Sequence, residues 1–529
     1  VLRAFAPRSG RRPQIRADFP VGRKGLRVNS RDRIIVDDTS SFPADTPRQF
    51  WRMFPSVALP IYMAVGDQTI VASALPAIAG ALGDVERVSW IIISYLIAST
   101  IAAPVYGYLG DAFGRRRLMF VGLIIYLIGS VLNAFAPTVT LLAASRFLQG
   151  LGGGGLMSMA QALIAEVIPP RERGRYQGYT ATVFVTSSAV GPVVGAFLTL
   201  QFGWRAVFLI NIPIGVISFF LAFRLANRRG PPRQGWRFDY VGLALFVGFI
   251  VPLLLALEQV RTFDLTAALL MASLVAVSLA CLFLLMRQQQ RVASPLLPIA
   301  LMRQPAVWGC QLMILCHGAL MTAHIAFLPL YLRVTGIGTI HDVGLLLLTY
   351  SVAIAFSSIV IGRMVTRTGR TMIFPSIGMF LATLLFGYFG FAAEHFSLNQ
   401  IFISVALLAM AMGSVMTVCQ VSIQAIAGRR LLGAASGSIQ LARTVGAVFG
   451  TALFGTILFA WLAFRDPEAA AIFGRILNLG PEALEVFAPE RRVAVMSEIT
   501  TGFRWAFLML TGISAVSMVL AWINPSRRI

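Results

Sequence analysis

The sequence predicts an all-α polytopic membrane protein, and three observations carry that reading. The chain of 529 residues is 57% hydrophobic and only 12% charged, with a mean hydropathy of +0.77. A soluble domain carries about twice that share of charge. Apolar runs of about 18 residues or more recur along nearly the whole chain, each long enough to cross a bilayer as a helix. The placement of charge is the third observation. A formal net charge of +22 would by itself suit a nucleic-acid binder. The arginines, however, fall in short loops between apolar runs, mostly in every second loop. That is the positive-inside pattern of a membrane protein, and no nucleic-acid partner is expected.

Taken in order, residues 1 to about 50 are polar and Arg-rich, with scattered Pro and Gly. They hold no apolar signal-peptide core and are expected to form a basic, disordered cytoplasmic tail. About fourteen spans follow, at roughly 54–80, 89–109, 117–136, 139–166, 178–200, 205–225, 239–257, 264–286, 306–332, 341–362, 371–391, 398–425, 435–463 and 502–523. The loops after the even-numbered spans carry clusters such as Arg115–Arg117, Arg171 with Arg173 and Arg175, and Arg363 with Arg367 and Arg370. Both termini are therefore expected on the cytoplasmic side of a cytoplasmic membrane. A long outer loop at about 464–501 mixes acids and arginines and is expected to hold a surface helix. Cys281, Cys310, Cys316 and Cys419 lie inside apolar runs without metal-site spacing, so they are read as small core residues.

An internal repeat divides the chain. Gly107, Asp111, Gly114 and Arg115–Arg117 form a tight charged turn between two spans. Gly362, Thr366, Gly369 and Arg370 repeat its spacing 255 residues later, without the acid. Gly174 and Gly178 find counterparts in Gly433 and Gly437, and Gly191 to Gly195 in Gly446 to Gly450. The repeat implies two similar halves, as in many secondary transporters. The expected domains are the tail at 1–50, a six-helix half at 51–228, an inserted transmembrane hairpin with linkers at 229–300, and a second six-helix half at 301–529.

Few residues in the spans carry chemistry. Asp67 lies about 12 residues into span 1, or ~18 Å deep at 1.5 Å per residue. An acid at that depth is costly unless it faces a cavity or a partner. Arg146 sits in the antiparallel span 4 at nearly the same depth, so an ion pair or a proton-sensitive pair is geometrically allowed. Gln149 and the glycines 150 and 152–155 follow it. This run lacks the Gly-Lys-Ser/Thr ending of a phosphate loop, and close helix packing is its reading. In span 5, Gly191 and Gly195 form a small-residue face, and Pro192 between them is expected to bend the helix. His317 and His324 are seven residues apart and share one face of span 9. Arg443 in span 13 needs a partner, and Gln420, Gln424 and Gln440 are candidate polar cavity walls. No nucleophile triad, His-Glu-x-x-His or Walker loop is present in the sequence.

These motifs resemble the major facilitator superfamily, and within it the fourteen-helix drug:proton antiporter family. Gly107-x-x-x-Asp111-x-x-Gly114-Arg115-Arg116 matches the signature loop between helices 2 and 3. Arg146-x-x-Gln149-Gly150-x-Gly152-x-Gly154 matches the helix 4 motif, and Gly191-Pro192-x-x-Gly195 the helix 5 motif associated with antiporters. Asp67-x-Thr69-Ile70-Val71 with Ala74-Leu75-Pro76, and Trp204-Arg205 with Asn211-Ile212-Pro213-Ile214-Gly215, look like the fourteen-helix branch. Ala72 departs from the usual Asn, and Ala196 from the usual final Gly of the helix 5 motif.

The resemblance implies a secondary transporter, not an enzyme, exporting small amphipathic or drug-like compounds in exchange for protons. The proton gradient would be its energy source, with no cofactor and no metal. Its partners would be the substrate, protons and the lipid bilayer; a periplasmic adaptor is left unassigned. A nutrient importer or uniporter of the same fold is the alternative. By the family pattern, Asp67, Arg146 and Gln149 belong to proton coupling and the substrate cavity, with His317, His324 and Arg443 as further candidates. Gly107, Asp111, Gly114 and Arg115 would form a cytoplasmic gate, with Asp111 capping span 13 near Ser436.

Overall fold

The computed structural model describes residues 28–29, 33–34, 46–83, 87–225, 238–259, 265–292, 294–338, 340–392, 397–466, 468, 470, 473 and 488–528. The expected N-terminal tail lies almost wholly outside them. Within it, β1 (Val28–Asn29) pairs antiparallel with β2 (Arg33–Ile34). Everything else described is helical or connects helices, save residues 524–528 after the last helix, where Arg528 bridges to Arg370.

The first body comprises α1 (Thr46–Leu82), α2 (Trp90–Phe113), α3 (Arg115–Phe135), α4 (Val139–Val167), α5 (Arg173–Phe202), α6 (Ala206–Leu209) and α7 (Asn211–Ala222). A hairpin follows, α8 (Tyr240–Gln259) and α9 (Leu265–Arg291), then the short α10 (Ile299–Met302). The second body comprises α11 (Pro305–Thr335), α12 (Ile340–Thr368), α13 (Ile373–Ala392), α14 (Leu398–Ala427), α15 (Leu432–Arg465) and α16 (Pro489–Ile523).

Among the described residues, eleven helices are long and apolar enough to cross a membrane. The expected count of about fourteen is therefore not established. The shortfall has a physical origin. The α6–α7 stretch (Ala206–Ala222) and the apolar part of α8 (Tyr240–Ala256) are shorter apolar helices. The 29-residue α4 is not among the eleven because Ser145, Arg146, Gln149 and the glycines 150 and 152–155 dilute its apolar content. The expected outer loop is also shorter than read. Pro489 opens α16 in its first turn, and the chain stays helical through Gly502 into the last span. Likewise α5 runs unbroken through Pro192.

Local chemistry places the ends. Thr138 accepts a hydrogen bond from the Leu141 amide at 3.3 Å and starts α4. Ser397 and Gln400 form a reciprocal capping box at the start of α14. Gly114 and Gly369, at matching repeat positions, both take positive φ (99° and 66°), which lets each chain reverse at the Arg-rich face.

Each body has its own core. Met119, Tyr126 and Leu156 centre the first, and Met313, Phe386 and Phe507 the second. The hairpin packs outside both: Phe246 and Ile250 lie with Ile97 and Ile101 of α2 and Leu441 of α15. Asp239 holds it together, accepting from the Gly242 amide at 2.8 Å and from Gln289 at 2.7 Å. Large apolar side chains face outward all round, among them Phe135, Leu200, Phe220 and Phe464. That surface suits hydrocarbon, and the chain is a multi-pass membrane protein.

Candidate functional site

A buried charge pair lies inside the first body. Asp67 on α1 and Arg146 on α4 are each 1% exposed. The Arg146 Nη1 donates to Asp67 Oδ2. The other carboxylate oxygen accepts from Asn211 Nδ2 at 2.8 Å and from Gln149 Nε2 at 3.1 Å. Gln149 is held in turn. Its Oε1 accepts from Arg146 at 2.6 Å and Asn133 at 2.6 Å, and its amide donates to Ser130 at 2.9 Å. The guanidinium lies over the Tyr95 ring at 4.3 Å and donates through Nε to the Ile91 carbonyl at 3.3 Å. Beside Arg146, the neutral amides of Asn211 and Gln149 support the carboxylate. Removing one member of such a pair strands the other, at a cost of about 3–5 kcal/mol.

The glycines of α4 make this closeness possible. A Cβ at Gly150 would approach the Tyr95 carbonyl to 2.6 Å, and one at Gly152 the Tyr126 amide to 2.6 Å. The α5 motif does the same on α1: a Cβ at Gly191 would strike Thr69, and one at Gly195 would reach the Ile70 carbonyl at 2.6 Å.

Between the bodies lies a cavity of about 820 Å³, open solvent included, walled by α4, α5, α11, α12, α14 and α15. Its polar lining includes Gln161, Gln177, Gln420, Gln440, His317 and Arg443; among the described residues none of α8 or α9 reaches it. Gln420 donates to Gln161 at 2.6 Å and so joins the two bodies across it. Of the six residues expected at the proton and substrate site, His317 and Arg443 line this cavity. The other four do not. Asp67, Arg146 and Gln149 turn into the first bundle. His324, with no exposure, is boxed by Tyr350, Phe386, Phe389 and Phe507 at ring distances of 5.5–6.3 Å. Gln424 also lies off the cavity and donates to Ser436 at 3.2 Å.

The two bodies meet at the Arg-rich face through two crossings. At the first, Gly107 of α2 lies against Gly433 of α15. Asp111 accepts from the Gly433 amide through Oδ1 and the Ala434 amide through Oδ2, both at 2.9 Å. These are amides of the first turn of α15, so the carboxylate caps that helix, two to three residues before Ser436. Arg115 donates to Asp111 at 2.7 Å, Glu166 at 2.8 Å and the Arg429 carbonyl at 2.7 Å. At the second crossing Gly362 of α12 lies against Gly174 of α5, and the Thr366 hydroxyl accepts from the Arg175 amide at 3.2 Å.

Sequence reasoning passed over Asn133, Ser130, Gln161 and Glu166. Asn211 stood only as part of a motif. All five are neutral amides, a hydroxyl or a loop-proximal acid, which a sequence does not separate from ordinary lining residues.

Residues 61–451 match the sequence model of the Major Facilitator Superfamily. An uncharacterised MFS-type transporter of Mycobacterium tuberculosis is 29% identical over 479 residues, covering 89% of this chain and 68% of that one. Multidrug resistance protein 3 of Bacillus subtilis is 30% identical over 332 residues, covering 62% of this chain and 64% of that one. Among solved structures, the proton:xylose symporter XylE superposes with a TM-score of 0.57 at 14% identity, covering 90% of this chain and 96% of that one, a likeness of fold alone. With its two matched bodies, its charged turn and a family match over most of its length, the chain belongs to the Major Facilitator Superfamily of transporters.

Proposed function

We propose that this transporter exports small amphipathic compounds across the plasma membrane in exchange for protons, with both termini cytoplasmic. The observation that carries the reading is the Asp67–Arg146 pair, a deeply buried acid whose one charged partner among the described residues is that arginine. A proton arriving on Asp67 would neutralise the carboxylate and free Arg146, which is what a protonation-linked change of conformation requires. Helix α5 offers a mechanical link: Gly191 and Gly195 pack on α1 beside Asp67, while Phe184 and Val185 of the same helix line the cavity. Rocking of one body against the other would then expose the cavity to each side in turn. Export is favoured over import by the helix 5 motif and by relatives named multidrug resistance protein or efflux pump.

The test is gradient-driven dye export in everted vesicles carrying Asp67→Asn. Export is expected to fall to background. Substrate exchange without a gradient should persist, which also reports a folded protein despite the stranded Arg146. Undiminished gradient-driven export in that variant would remove Asp67 from the mechanism.

A further inference from the structure

We infer that the cavity is built for an amphipathic anion, with Arg443 as its counter-charge. The inference deepens the exporter reading and rests on it for the direction of travel, but not for the binding chemistry.

Among the described residues lining the cavity, Arg443 is the one that is charged. Its Nε donates to Gln440 at 3.3 Å, and its guanidinium stands 5.1 Å from the Phe184 ring centroid across the gap between the bodies. Among the described residues no carboxylate forms an ion pair with it, in contrast to Arg146 and Arg115. An unpaired guanidinium deep in a membrane protein is costly, and a ligand carboxylate or sulfonate would relieve that cost with paired, charge-assisted hydrogen bonds.

Two further groups point the same way. Gln177 Nε2 and His317 Nδ1 are buried nitrogens with no partner, on lining residues that are 3% and 2% exposed. The amide nitrogen can only donate, and the imidazole nitrogen donates in one tautomer. His317 stands beside Arg443 in the fold, because α11 and α15 cross where Gly318 meets the Arg443 carbonyl. Met157, Met321 and Met416 supply an adaptable apolar wall for the rest of the ligand. A cation placed here would meet a like charge and no acid.

The experiment uses the full-length protein in lipid nanodiscs and three probes with one aromatic body: pyrenebutanoate, its primary amide and pyrenylbutylamine. Binding is read by fluorescence anisotropy. The carboxylate is expected to bind at least tenfold tighter than the amide, and the amine weakest. Arg443→Gln should bring the carboxylate to the amide's affinity while leaving the amide unchanged. If that variant loses the amide as well, Arg443→Lys decides: a retained preference for the carboxylate upholds the inference and a lost one overturns it. Tighter binding of the amine, no saturable binding of the carboxylate, or an unchanged carboxylate-to-amide ratio in Arg443→Gln also overturns it. Gradient-driven export of the same probes is scored separately. Anion preference without export of any probe would sink the exporter reading and leave this one standing; export of the amine or amide alone would do the reverse.

Discussion

At the first crossing of the Arg-rich face, Gly107 lies on Gly433 and a carboxylate, Asp111, caps α15. At the second, Gly362 lies on Gly174 and a hydroxyl, Thr366, accepts from the third amide of α5. The backbone contact is duplicated and the cap sits at the same repeat position, but one cap is charged and the other neutral. A charge-assisted hydrogen bond is roughly twice as strong as a neutral one. The repeat thus preserves the shape of the closure while loading its strength onto one side. Arg115 adds to the imbalance by tying Asp111 to Glu166 of its own body and to the Arg429 carbonyl of the other.

The largest effect is expected where the two crossings are alike. A side chain at Gly107 or Gly362 would run into the facing glycine's carbonyl. Overpacking of that kind costs about 1–3 kcal/mol, and here both bodies must part to relieve it. Gly107→Val and Gly362→Val should each abolish most transport, with labels across the Arg-rich face moving apart. If only one of the pair does so, the crossings are not equivalent and the comparison breaks.

Asp111→Asn comes next, because it removes charge and leaves shape. A carboxylate at a helix N-terminus contributes up to about 2 kcal/mol when partly buried. At about 1.4 kcal/mol per decade, its loss changes a two-state balance by more than tenfold. The expected outcome is a shift toward the form open at the Arg-rich face, with turnover slowed more than substrate affinity is weakened. Spin labels on the turns after α2 and α12 give the distance distribution. An unchanged distribution with full transport would remove the Asp111 charge from the closure.

The difference between the crossings also marks what a sequence reveals. Asp111, the glycines and the missing acid at Thr366 were legible because they are charges and breaks in an apolar background. Depth was legible too: at 1.5 Å per residue, Asp67 and Arg146 fall at one level, and they pair. The direction a side chain takes around its helix relative to other helices was not. His317 and His324 share a face of α11, yet one lines the cavity and the other sits in an aromatic box, because α11 meets different neighbours along its length. For the same reason the Asp67 cluster could not be told from a cavity wall, and Asn133 gave no signal above an ordinary polar residue.

The smallest effect belongs to Thr366, and it sharpens the comparison most. Thr366→Val removes one neutral hydrogen bond to the Arg175 amide, worth about 0.5–1.5 kcal/mol. Transport should fall by no more than about tenfold. Thr366→Asp instead puts a carboxylate at the position that Asp111 holds in the first half. If the charge acts through the helix end, Thr366→Asp in an Asp111→Asn background should move the label distances back toward the closed form, since position 366 faces the Arg175 amide in the first turn of α5 as Asp111 faces the Gly433 and Ala434 amides of α15. If the charge acts instead through the buried Arg115–Glu166 pair, an acid at 366 cannot rebuild it, because Arg370 at the matching repeat position is exposed, and the double variant will stay as open as Asp111→Asn alone. The two outcomes separate a cap from an ion network as the origin of the asymmetry, and the same label pair reads both.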